Sequence, residues 1–154
     1  MPYPRFNIEH VSYASHADEI ASVRRKVFVE EQQIAEALEF DSHDALYYYV
    51  LARDLNHCPI GTARLSPDGK IGRMAVLAPW RRQSVGRNLL QALVEKSRIL
   101  GLSQLTAHAQ ITALDFYKSF GFTPEGEVFI EAGLAHQAIR MSLQYPAMAK
   151  NSCP

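Results

Sequence analysis

Arg73 to Leu90 reads RMAVLAPWRRQSVGRNLL and concentrates the groups best suited to hold an anion. Arg81, Arg82, Gln83 and Arg87 crowd around the point where a strand-like run gives way to a long helical period, and Gly86 sits where that period begins. The first turn of a helix presents N–H groups without partners and carries a partial positive charge. Neighbouring arginines reinforce it, and a pyrophosphate is the natural guest. The G-x-x-x-x-G-K-[ST] loop and the G-x-G-x-x-G fingerprint are both absent, which argues against P-loop and dinucleotide folds. A basic turn alone is more often solvated surface; the strand-turn-helix context is what favours a site. A second group with chemical potential is Tyr117, a proton donor by type. Its periodicity with Ala113, Phe116 and Phe120 would by itself make it a core aromatic. The six His and two Cys show neither HExxH nor paired-Cys spacing, so no metal site is expected.

Positioning these groups takes a definite order of elements. Arg5 to Tyr13 alternates loosely and predicts a first strand. Ser15 to Asp18 has the form of a capping box, and Ile20, Val23 and Val27 predict a helix over Ala17 to Val29. Glu30 to Asp44 is acidic and aperiodic, a loop with room for a helical turn. Leu46 to Ala52, Ile60 to Leu65 and Ile71 to Leu77 read as strands, the last two joined by the turn Ser66-Pro67-Asp68-Gly69-Lys70. Val85, Leu89, Leu93 and Leu100 mark a long helix closed by Gly101. Ser103 to Ala109 is a fifth strand. Thr112 and Asp115 suggest a second capping box before a short helix that Gly121 ends. Val128 to Glu131 and Ala138 to Leu143 supply the last strands. The order β-α-β-β-β-α-β-α-β-β contains one crossover, which demands a parallel pair. An α/β (mixed α+β) fold follows: a mostly antiparallel sheet with a parallel β4/β5 pair and helices on both faces.

Composition narrows the function classes. The chain has 154 residues, with 16 Lys+Arg against 16 Asp+Glu and no net charge. That suits one domain, 1–145, followed by a tail, 146–154. A protein built to grip nucleic acid would show a cationic excess, so no nucleic-acid partner is expected. No apolar run approaches the roughly 18–20 residues needed to cross a bilayer, and no secretory signal is visible. Cys58 and Cys153 form no disulfide framework, which makes a reducing, cytoplasmic setting the expectation. A homodimer through an exposed strand is compatible with such a sheet, but no edge is identified.

Two motifs now carry a resemblance. Arg81 to Gly86 resembles the Q/R-x-x-G-x-G/A acetyl-CoA motif of the GNAT N-acetyltransferases, with Ser84 where the first Gly is usual. Ala113 to Phe122, ALDFYKSFGF, resembles the A-x-x-F-Y-x-x-x-G-F segment of the same superfamily. Val27 to Gln32, Glu39-x-Asp41-x-x-Asp44, Lys70 to Arg73, His108 to Gln110 and Glu131 to His136 resemble the ElaA/YjcF-like subgroup, with Ala135 where Pro is usual before the His. The resemblance spans Phe6 to Leu143.

The resemblance implies an enzyme that passes an acetyl group from acetyl-CoA to a primary amine by direct attack in a ternary complex. It needs no metal. It implies that Arg81, Arg82, Gln83, Ser84, Val85, Gly86, Arg87, Ala113, Phe116 and Tyr117 contact the cofactor, with Met74, Ala75 and Val76 along its pantetheine. It gives the backbone N–H of Val76 to the thioester oxygen and makes Tyr117 the general acid. Candidate bases are Glu31 and His136, ahead of Asp41, His108 and Glu127. Arg24 and Arg25 could meet an anionic substrate group, though a helix-surface Arg is usually solvated. Tyr47, Tyr48 and Tyr49 could wall a site, with at least one of them in the core. The rival from another class is a non-catalytic acyl-CoA binder or sensor of the same fold. The weaker third reading is a nucleic-acid surface built on Arg73, Arg81, Arg82 and Arg87.

Overall fold

A computed structural model of the chain describes residues 5–40 and 43–143; Asp41 and the expected tail 146–154 lie outside the described residues. Seven strands form one sheet: β1 (Phe6–Val11), β2 (Tyr48–Asp54), β3 (Pro59–Leu65), β4 (Lys70–Val76), β5 (Gln104–Gln110), β6 (Thr123–Glu131) and β7 (Leu134–Ser142). Their order across the sheet is β1-β2-β3-β4-β5-β7-β6. Every neighbouring pair is antiparallel except β4 and β5, as the crossover requires. Edge positions fall to β1 and β6.

The long helix α3 (Val85–Ile99) and the short α4 (Leu114–Phe120) pack on one face. Leu89, Leu93 and Tyr117 from them meet Leu65, Ile71, Leu105 and Ile139 from the strands. Helix α1 (Tyr13–Arg24) covers the opposite face over β2, β3 and β4. Its Ile20 packs on Tyr49 and Leu51, and Val23 packs with Val27 and Phe28 against Ala75. Gly101, at φ +76°, follows the last turn of α3, a conformation that suits glycine.

Several boundaries differ from the sequence reading. Helix α1 starts earlier because Ser12, not Ser15, is its N-cap, accepting the Ser15 N–H at 3.3 Å. The helix does not end at Val29 but continues as a π-helical segment, Arg25–Glu31, which keeps Val27 and Phe28 on the sheet. After it come α2 (Glu36–Glu39) and a 3-10 turn, Asp44–Leu46, where a loop with one turn was expected. The Thr112/Asp115 capping box does not form. A 3-10 turn, Ile111–Ala113, runs into α4, and the Leu114 N–H bonds to the Ile111 carbonyl instead. Strands β6 and β7 are longer than their alternation indicates, because Gly126 at φ +75° breaks the pattern inside β6.

Arg24 is the largest departure. It is fully buried rather than a surface residue. Its Nε donates to Glu39 at 2.7 Å, its Nη1 to Asp44 at 2.8 Å and its Nη2 to the Glu39 carbonyl at 2.6 Å. Tyr49 Oη and Arg64 Nη1 also donate to Asp44 Oδ1. Burial pushes the Asp44 carboxyl up, but hydrogen bonds from Arg24 and Tyr49, with the charges of Arg24 and Arg64, hold it below its ordinary value. Burial dominates at Glu39 and keeps it above the usual range, despite Arg24 and Arg73. The cluster ties α1 to the segment Glu36–Leu46. Removing one member of a buried charge group strands the others, so Arg24→Met is expected to lower unfolding stability by about 3–5 kcal/mol, read from urea denaturation midpoints and slopes.

Candidate functional site

Strands β4 and β5 pair only at Lys70↔Thr106 and Ile71↔Ala107. Beyond that point β4 bulges. Its register to β3 jumps from Arg64↔Gly72 to Thr62↔Ala75, so Arg73 and Met74 both oppose Ala63. Arg73 sits at φ +48°, a left-handed conformation of the kind bulges use. The two parallel strands therefore part, and a cleft of about 780 Å³ opens at the divergence.

Val76 lies on the open edge. The Leu77 N–H donates to the Ile60 carbonyl at 2.9 Å, so the alternation of an antiparallel ladder turns both peptide groups of Val76 away from β3. The Val76 carbonyl accepts from Arg81 Nε at 3.0 Å, and its N–H faces the same opening. Across the cleft, α4 presents Tyr117. The ring is buried, edge-on to Phe116 and Phe122, and its Oη lies 3.8 Å from Met74 Sδ. Burial pushes the phenol up to about 12.

Arg81 faces Glu31 in a two-pronged ion pair, at 2.6 and 2.7 Å. The pair ties the π-helical segment to the β4–α3 loop. Hydrogen bonding from Arg81 holds the Glu31 carboxyl below its ordinary value, which makes it a poor proton acceptor. Further along the loop, Arg82 and Ser84 take left-handed backbone angles, +61° and +68°. Ser84 is the N-cap of α3 but its hydroxyl makes no capping bond; its carbonyl accepts from the Asn88 N–H and Nδ2 instead. Gln83 Nε2 donates to the Pro79 carbonyl, Arg87 stacks over Phe120, and Val85 is core. A Cβ built on Gly86 would stand 3.5 Å from Phe116 and 3.8 Å from Val76, ordinary contacts, so nothing inside the chain requires glycine there.

The far wall of the cleft is polar. His136 is buried, with Nδ1 2.7 Å from the Leu134 carbonyl and Nε2 3.8 Å from Glu131. His108 Nδ1 lies 3.1 Å from Glu131 and 3.4 Å from Lys70 Nζ. Phe129 stacks on His136 and meets His108 edge-on. Gln110 from β5 bonds Gln32 at 2.9 Å, a link to the end of the π-helical segment.

The fold thus gathers Glu31, Met74, Ala75, Val76, Arg81, His108, Ala113, Tyr117 and His136 around one cleft. Residues 82–87 and Phe116 stand beyond its lining, past Arg81. Glu127 is exposed on β6 and does not line the cleft, and Arg25 pairs with Glu36. Tyr47 lines the cleft beneath Arg64, Tyr49 joins the buried charge cluster, and Tyr48 turns to the other face near Lys96. The four arginines read as a basic cluster are divided: Arg73 turns to Glu39, Arg81 to Glu31 and Arg87 to Phe120. Lys70, Gln32 and Glu131 also line the cleft, and no sequence signal assigns them a role. Strand parity places Glu131 with His136 once β7 is seen to begin at Leu134 rather than Ala138. Among the described residues no cluster of His, Cys, Asp or Glu could hold a metal ion, and no helix is long and apolar enough to cross a membrane.

Residues 12–143 match the family model of the acetyltransferase (GNAT) domain. The chain is 32% identical over 136 residues to the uncharacterized protein YyaT of Bacillus subtilis (strain 168), covering 84% of this chain and 91% of that protein. The crystal structure of Escherichia coli ElaA aligns with a TM-score of 0.77 at 23% identity, covering 88% of this chain and 99% of that one. An acyl-CoA N-acyltransferase from Pseudomonas aeruginosa aligns with a TM-score of 0.75 at 22% identity, over 88% and 97% of the two chains. The two structural likenesses are likenesses of fold.

Ser84 holds a backbone conformation that glycine adopts without strain. Ser84→Gly is therefore expected to raise unfolding stability by roughly 0.5–1 kcal/mol, visible as a higher urea midpoint at unchanged slope.

Proposed function

We propose that this chain, which belongs to the GNAT acetyltransferase family, transfers an acetyl group from acetyl-CoA to a primary amine by direct attack in a ternary complex. One juxtaposition carries the reading. The outward-facing N–H of Val76 and the buried hydroxyl of Tyr117 border the same opening, where β4 and β5 part beside Met74.

The N-terminal turn of α3, with Arg82, Gln83, Ser84, Gly86 and Arg87 around it, would receive the pyrophosphate on free backbone N–H groups. The open edge of β4 at Met74, Ala75 and Val76 would receive the pantetheine as a strand-like partner for unpaired peptide groups. Val76 N–H would then donate to the thioester oxygen as negative charge builds on it. Holding amine and thioester together removes much of the entropy of encounter.

The amine nitrogen bonds to the carbonyl carbon, the C–S bond breaks, and the sulfur leaves as a thiolate. Tyr117 supplies the proton to that sulfur, and the proton lost by the acylated nitrogen restores the phenol. Its raised phenol stays protonated at neutral pH, and the same burial disfavours the bare thiolate. His136 is the better base than Glu31. The Leu134 carbonyl takes the Nδ1–H, which leaves the Nε2 lone pair toward the cleft. Glu31 is held ionised by Arg81 and instead keeps that arginine against the Val76 carbonyl.

Calorimetry with acetyl-CoA is expected to show micromolar binding by the wild type and loss of binding by Gly86→Glu, which sets a carboxylate against the phosphates. Folded wild type that binds no acetyl-CoA would overturn the reading. Tyr117→Phe is expected to bind acetyl-CoA normally and lower kcat by roughly 10²–10⁴-fold. Burial pushes the Tyr117 phenol up to about 12, so its ionisation is expected to remove no activity up to pH 10. Wild-type turnover with an unchanged pH profile in Tyr117→Phe would contradict the general-acid role.

A further inference from the structure

We propose that the half of the cleft over Gly72 is the acceptor pocket, and that it selects an amine whose far end carries a carboxylate, met there by Lys70. The proposal rests on the acetyltransferase reading for the role of that amine; the pocket itself rests on geometry. Gly72 lies inside β4, where a missing side chain costs the strand packing and ordering entropy. Its backbone does not call for glycine, because the left-handed angle of the bulge belongs to Arg73. Packing does not call for it either. A Cβ built on Gly72 would meet one atom, Arg64 Nε at 3.8 Å, an ordinary contact. The space that a side chain would fill is open and belongs to the cleft.

Strand register says what borders that space. Arg64 is the β3 partner of Gly72. Lys70 pairs with Thr106, so two residues on, Gly72 looks across to His108 on the same face. The exposed side chain of Leu38 and the buried one of Ile34 line the cleft as well, an apolar wall for the stretch between amine and carboxylate.

The lining charges are paired within the chain, with one exception. Arg64 is held by Asp44 at 2.6 Å, Arg73 by Glu39 at 3.4 Å and Arg81 by Glu31 at 2.6 Å. Glu131 lies 3.1 Å from His108 Nδ1. Among the described residues, no carboxylate comes within ion-pair distance of Lys70 Nζ, whose polar neighbour is His108 Nδ1 at 3.4 Å. One ring nitrogen cannot accept from an ammonium and donate to a carboxylate at once. The shorter contact takes the Nδ1–H to Glu131, which leaves the Lys70 ammonium without an acceptor.

The reacting end of the cleft, at Val76, is the other end of β4. At about 3.3 Å per residue, Lys70 and Val76 stand about 20 Å apart along the strand, less where the bulge bends it. An acceptor that reaches both is a chain of several backbone units, its amine at the thioester and its carboxylate at Lys70. One ammonium matches the single charge of one carboxylate.

Tetraglycine and its C-terminal amide are the probes, because they differ in that charge. The wild type is expected to acetylate the acid with a kcat/KM about tenfold above that of the amide, the difference lying in KM. Lys70→Gln should abolish most of that preference while still binding acetyl-CoA. Gly72→Val, whose side chain suits a strand, should raise KM severalfold for both peptides, with acetyl-CoA affinity retained as the sign of an intact fold. Equal kcat/KM for acid and amide in the wild type overturns the proposal. So does a preference that survives Lys70→Gln, or an unchanged KM in Gly72→Val. If the wild type binds acetyl-CoA and acetylates neither peptide, calorimetry of both peptides on the CoA-loaded protein decides. Tighter binding of the acid, lost in Lys70→Gln, supports the pocket, and equal binding overturns it. Failure of the wild type to bind acetyl-CoA is read separately and overturns the acetyltransferase reading instead.

Discussion

Parallel strands that part in the middle of a sheet leave peptide groups facing nothing, and backbone donors and acceptors do not stay unpaired without consequence. In this protein that constraint organises everything around the cleft. Pairing of β4 with β5 stops after Ile71↔Ala107, and the bulge at Arg73 and Met74 bends β4 away. The Val76 carbonyl finds Arg81, while its N–H faces the opening. A sheet that simply continued its ladder would bury this edge and have no cleft.

The two faces of the sheet then divide the labour. On one face, α3 and α4 supply the apolar packing and place the Tyr117 ring where burial keeps its hydroxyl protonated. On the other, α1 and its π-helical continuation carry Glu31 to Arg81 and bring Gln32 to Gln110. The wider π-helical turn lets Val27 and Phe28 stay in the core while Glu31 reaches the rim, which is the sort of place where such turns recur. The Arg24 cluster secures this arrangement by tying the helix to the Glu36–Leu46 segment through charges that have no solvent to fall back on.

Legibility followed the range of the interactions. The Val85–Leu100 stripe, Gly101 and the turn Ser66–Lys70 are local signals, and the elements they announce are present. Capping is less legible. Ser15 with Asp18 and Thr112 with Asp115 both have the spacing of a box, yet the Ser12 hydroxyl and the Ile111 carbonyl, each three residues back from the N–H it accepts, take the bonds instead. Arg24 looked like any helix-surface arginine, since its partners Glu39 and Asp44 lie 15 and 20 residues on.

Order of elements, the single crossover and the parallel β4/β5 pair were determined by the sequence alone, because hydrophobic period and turn chemistry are properties of neighbouring residues. The motifs at Arg81–Gly86 and Ala113–Phe122 likewise mark the family in the sequence itself. Tertiary structure alone decided where β4 leaves β5, that Arg81 is committed to Glu31, and that Glu131, His108 and His136 meet on one face. The Arg81–Glu31 pair joins a loop to a helical segment far away in the chain, and the meeting of the other three depends on register between strands, where a shift of one residue would send the slipped strand's side chains to the opposite face.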